Sequence, residues 1–151
     1  MEVPVYIHGM CLEQEKSKEA HGCYGVYWRE DSPANFADYV LFDATEHRAE
    51  LYAVIRALQL AVVHHVRRIR IHSKFEYLAE VLPKLDDIAA QNWADENGDP
   101  IENQDLLERI YDLKSRVDFT IELPTTESDG MQKARGLAKN ISTFFSKMIH
   151  A

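Results

Sequence analysis

Apolar residues recur at two different spacings along this chain, and each change of spacing marks the border of an element. PVYIHGMCLE (4–13), HGCYGVYW (21–28) and FADYVLFD (36–43) are dense in β-branched, aromatic and other apolar residues and predict strands. The charged QEKSKEA (14–20) predicts a solvated turn and REDSPAN (29–35) a loop, which makes the three strands an antiparallel meander. Gly22 and Gly25 in the second strand permit close approach of another backbone. From Thr45 to His65 the spacing becomes helical, with Leu51, Val54, Ile55, Leu58 and Val62 on one stripe. Asp43 or Thr45 can cap that helix, and Asp43 with Glu46 has capping-box spacing. His64 and His65 end it, where the helix dipole favours positive charge. RRIRIHS (67–73) alternates Arg with Ile and predicts a fourth strand. KFEYLAEVL predicts a helix that Pro83 disturbs, and QNWADENGDP (91–100) a loop. NQDLLERIYDLKSR (103–116) predicts a helix, VDFTIELP (117–124) a fifth strand, and a final helix runs from about Met131 to Ile149.

Three strands, a helix, a strand, two helices, a strand and a helix imply a mixed α/β sheet of five strands. Strands one to three are antiparallel, the later two join in parallel through helical crossovers, and helices pack on the sheet. No repeat or linker divides the chain, so residues 1–151 are expected to form one domain.

Composition changes this picture in one respect. The 17 Lys and Arg against 25 Asp and Glu leave a net charge of −8. Nucleic acids select basic surfaces, because binding neutralises phosphates and releases counterions; nucleic-acid binding is therefore expected to be weak or absent. Cys11 and Cys23 are too few for a disulfide scaffold, and both are expected to be core thiols. The start has no signal-peptide pattern and no stretch reaches the roughly 18 apolar residues of a membrane span. An intracellular setting, nuclear or cytoplasmic, is the expectation.

Several segments in order resemble one family. HRAELYAVIRALQLA is similar to the first helix of type 1 ribonuclease H, which starts Arg-Ala-Glu-Leu. VYIHGMC resembles that family's first strand (Tyr-Thr-Asp-Gly-Ala) and IRIHSKFEY its Thr-Asp-Ser-Lys-Tyr segment. GVYW, DPIENQDL and MQKARGLA are similar to further family segments, so the resemblance spans about residues 4 to 140. It implies the ribonuclease H-like fold, with the last helix extended over about 141–150. The family's activity rests on four carboxylates that hold two magnesium ions. Matched position by position, these are His8, Glu50, His72 and Arg135 here, so one carboxylate of four remains. The resemblance therefore implies a degenerate member, without hydrolysis and without a metal cofactor, since arginine stays charged and imidazole suits softer metals.

The nucleic-acid surface departs from the family as well. Asp43 stands where a phosphate-binding arginine is usual and Glu46 where an asparagine contacts the hybrid, with His47 next to it. The family's basic protrusion corresponds to PKLDDIAAQNWADENGDP, rich in acids. Trp93, Asn103 and the cluster Arg67, Arg68 and Arg70 remain as candidates for residual, non-cleaving binding of RNA/DNA hybrid or structured RNA. His8, Glu50 and His72 also form a ligand set suited to zinc or iron. Against that stands the blander expectation that Arg135 pairs with Glu50. On the last helix Phe144, Phe145, Met148 and Ile149 lie beyond the family's core; they either pack back on the domain or offer an apolar strip to a partner or a second copy. The expected function is a non-catalytic protein-interaction or scaffold module in an RNA- or DNA-processing complex, self-associating in one form.

Overall fold

A computed structural model describes residues 2–13, 20–40 and 43–149, apart from the side chains at 12, 13, 20, 145, 146 and 149. The expected turn at 14–20 lies outside them up to residue 19. Strand β1 (Val3–Glu13) pairs antiparallel with β2 (Ala20–Tyr27), which pairs antiparallel with β3 (Phe36–Val40). β4 (Arg68–His72) joins the other edge of β1 in parallel and β5 (Asp118–Glu122) joins β4 in parallel. The order is β3-β2-β1-β4-β5, the five-stranded mixed sheet expected from the sequence.

Helix α1 (Glu46–Val63) follows β3 and packs on one face of the sheet. Its cap is Thr45, whose hydroxyl accepts from the Arg48 amide at 3.0 Å. Asp43 takes no part in a capping box: its backbone turns left-handed, with φ of 53°, just before the helix. Leu51, Ile55 and Leu58 are fully buried, each contributing about 1.5–3 kcal/mol by leaving water. Ala49, Ala53, Ala57 and Ala61 recur every fourth residue, all buried, which lets the helix lie close to its neighbours. The helix stops two residues earlier than expected. His65 turns left-handed (φ 59°), and the Val66 amide donates to Ala61 O at 2.8 Å, a closure usually made with glycine.

Ile69 and Ile71 of β4 point into the same core, leaving Arg68 and Arg70 outside. The disturbance expected at Pro83 divides the next segment into α2 (Glu76–Val81), a 3-10 turn (Leu82–Lys84) and α3 (Leu85–Ala90). Helix α4 (Gln104–Leu113) buries Leu106, Leu107 and Ile110 against α1 and ends before the expected Arg116. Helix α5 (Asp129–Ile149) starts two residues before Met131 and covers the opposite face over β1, β2 and β3. Gly25 makes that fit possible, because a Cβ there would lie 2.4 Å from Ala134 O. No helix of the described residues is long and apolar enough to cross a membrane.

Candidate functional site

Successive residues of β1 point to opposite faces, and the site lies where β1 and β4 run past the start of α1. Val5, Ile7 and Gly9 face α1; Tyr6 and His8 face α5. A Cβ at Gly9 would lie 2.6 Å from the Glu50 amide, so glycine is needed for α1 to approach β1. This close contact carries Glu50 into the interior, with no exposure at all.

Ser73, also fully buried, follows β4 and donates from its hydroxyl to Glu50 Oε1 at 2.6 Å. The same hydroxyl accepts from the Phe75 amide at 3.0 Å, which fixes its direction. Glu50 Oε2 makes no hydrogen bond. Burial drives the Glu50 carboxyl up to about 7, Glu46 adds to the rise, and Ser73 with the Gly9 amide dipole opposes it. At neutral pH this group is therefore partly protonated.

His8 is held the other way. Burial, and then the charges of Arg135, Lys74 and Lys139, lower its imidazole to about 4. Its Nδ1 is buried without a partner. His72 lies flat on the Tyr6 ring, with centroids 4.6 Å apart and planes at 17°, and burial lowers its pKa as well. Two imidazoles whose charged forms are disfavoured by burial thus stand where the resemblance placed carboxylates.

The expected ion pair between Arg135 and Glu50 is not made. Arg135 pairs with Glu127, on the loop between β5 and α5, and Lys74 Nζ reaches the same carboxylate at 2.9 Å. The reason is desolvation: Glu50 is sealed between α1 and β1, whereas Glu127 is partly exposed and can stay ionised beside a cation. Nor do His8, Glu50 and His72 assemble as a ligand set. Among the described residues no three His, Cys, Asp or Glu side chains stand close enough to share a metal ion. These groups do not suit magnesium, which demands hard oxygen ligands in octahedral array: Glu50 offers one unbonded oxygen, and the neighbouring His8 is an imidazole under the charges of Arg135, Lys74 and Lys139.

The candidates for nucleic-acid contact are engaged within the fold. Asn103 donates to Tyr77 Oη at 3.2 Å and accepts from Arg48, and Arg48 grips Asp105 through both terminal nitrogens at 2.7 and 2.9 Å. His47 stacks on Tyr77 at 4.0 Å and 6°. Trp93 meets Tyr111 edge-on at 5.7 Å. Arg70 pairs with Glu2 at 2.6 Å and Glu122 at 3.4 Å, Arg68 with Asp118 at 3.6 Å, while Arg67 is exposed. Cys23 behaves as a core thiol, donating to Ala138 O at 3.3 Å with its pKa pushed up by burial to about 11.

On α5, Phe144 and Met148 are 58% and 60% exposed, so they do not pack back on the domain. The side chains of Phe145 and Ile149 lie outside the described residues. Ser73, Lys74, Glu127 and Lys139 escaped the sequence reading. Ser73 and Lys74 sit in the IHSKF stretch next to His72 and could have been found there, but Glu127 carries no local signal.

A sequence model of the ribonuclease H family matches residues 1–123. A ribonuclease H of Schizosaccharomyces pombe is 30% identical over 138 residues, covering 89% of this chain and 51% of that protein. This chain thus spans about half the length of that relative. The ribonuclease H domain of prototype foamy virus superimposes with a TM-score of 0.68 at 20% identity, covering 93% of this chain and 91% of that one. The ribonuclease H1 of the archaeon Halobacterium salinarum gives 0.60 at 19% identity over 95% and 98%. The family model and the 30% identical relative, with a fold shared by these solved structures, show that the chain belongs to the ribonuclease H family.

Proposed function

We propose that this ribonuclease H-family domain does not cleave RNA through a metal pair and works as a protein-contact module in an RNA- or DNA-processing assembly. One observation carries the reading: at the end of the sheet where the family gathers anions, Arg135 and Lys74 share Glu127 beside an uncharged His8. Two divalent ions need several oxygen anions to offset their charge. Here the retained Glu50 is buried and partly protonated, so little negative charge is offered. The internal bonding of Asn103, Trp93 and Arg70 and the overall charge of −8 argue against hybrid binding as the main role. Phe144 and Met148, exposed one turn apart, support an apolar protein contact on α5.

The test is a cleavage assay on RNA/DNA hybrid in magnesium and in manganese. A parallel variant joins His8→Asp, His72→Asp and Arg135→Asp, which puts the acids back. The proposal expects no turnover by the native chain and measurable magnesium binding only in the variant. Metal-dependent turnover by the native chain, abolished by Glu50→Gln, would refute it.

A further inference from the structure

The cations around His8 have more charge than their internal partner can offset. Arg135 and Lys139 lie one turn apart on α5, over β1, because Gly25 is the cross-strand neighbour of His8 and touches α5 at Ala134 and Ala138. Lys74 approaches from the end of β4. Glu127 bridges Lys74 and Arg135 and leaves Lys139 without a carboxylate within ion-pair distance among the described residues. The charges that act on the His8 ring from its surroundings are all positive: Arg135, Lys74 and Lys139. The cleft beside Lys74 and Glu127 has Glu76 on its wall, away from the charges that act on His8.

One carboxylate among three cations is a poor match. A phosphate monoester carries about −1.5 to −2 at pH 7 and offers three acceptor oxygens, enough for a guanidinium fork and two ammonium groups. Arginine is suited to such bidentate contact, and lysine supplies a mobile point charge.

We propose that Lys74, Arg135 and Lys139 form a metal-free site for a phosphoryl group, which Glu127 occupies as an internal stand-in when no ligand is bound. This deepens the non-hydrolytic reading and rests on it, since cations replace the magnesium ions that would otherwise meet phosphate there. The ligand must displace Glu127, so the free protein binds weakly and removal of that carboxylate strengthens binding. His8, uncharged at neutral pH, adds no charge of its own beside a bound anion.

The experiment is calorimetric titration with inorganic phosphate at pH 7.5 in EDTA, with ionic strength held constant by chloride. Glu127→Gln is expected to bind phosphate at least tenfold more tightly than the native chain. Adding Arg135→Ala or Lys139→Ala to Glu127→Gln is expected to return the affinity to the native level or below, with unchanged circular dichroism. No saturable binding by Glu127→Gln, or equal affinity in all four proteins, would overturn the site. EDTA keeps the outcomes separate: cleavage in magnesium defeats the non-hydrolytic reading, whereas absent phosphate binding defeats only this one.

Discussion

The two faces of β1 live under different rules. Val5 and Ile7, with Leu51, Ile55 and Leu58 of α1 opposite, are sealed from water and contain no ionisable group until Glu50. Tyr6 and His8 face α5, where the neighbours are Gly130, Arg135 and Lys139. On the first face every side chain is constrained by volume, because a void or an extra methyl is felt at once. On the second the groups are partly solvated, and a carboxylate can be exchanged for an imidazole or a guanidinium if a nearby residue such as Glu127 accepts the charge. Packing on the first face therefore holds the fold, while the groups at the end of the second are constrained mainly by charge.

Core truncation should show the difference most strongly. Leu51→Ala is expected to cost about 2–5 kcal/mol in chemical denaturation, while Lys74→Ala, on the other face, costs less than about 1 kcal/mol. Equal losses would erase the distinction between the faces.

Glu50 sharpens the comparison because it belongs to the sealed face yet titrates. Its folded pKa of about 7 lies above the ordinary 4.5, so stability is fully present below pH 4.5 and is lost as pH rises towards 7. His8 has the opposite slope: with its pKa lowered from 6.5 to about 4, stability is lost as pH falls through that window. The two offset each other between pH 4.5 and 6.5. Glu50→Gln is expected to stabilise the chain by up to about 3 kcal/mol at pH 8, by little at pH 4, and to expose the acid slope of His8. Urea midpoints across pH 4 to 8 check this; a Glu50→Gln curve parallel to the native one would refute it.

Smaller effects are expected from the surface. Arg70→Ala breaks pairs with Glu2 and Glu122, both solvated, and should cost no more than about 1 kcal/mol, shrinking further in 1 M salt. Phe144→Asp with Met148→Asp should leave the unfolding midpoint unmoved, because both side chains are exposed, yet abolish self-association in sedimentation if α5 carries the protein contact. A lowered midpoint would show that the strip is packed rather than offered.

Apolar composition, turn signals and periodicity located all five strands and the long helices, because burial of one face imposes period 2 or 3.6 on the residues that form it. Family segments such as HRAELY and IHSKF then brought His8, Glu50, His72 and Arg135 to one end of the sheet on paper. What could not be read was who bonds to whom. Arg135 took Glu127 instead of Glu50, and His72 took the face of Tyr6. Those choices depend on which carboxylate is desolvated and which loop arrives beside α5, and that is decided only when β4, β5 and α5 close around β1. Local sequence determines which face is apolar; the free energy of a charge depends on everything packed around it, and only the folded chain sets that.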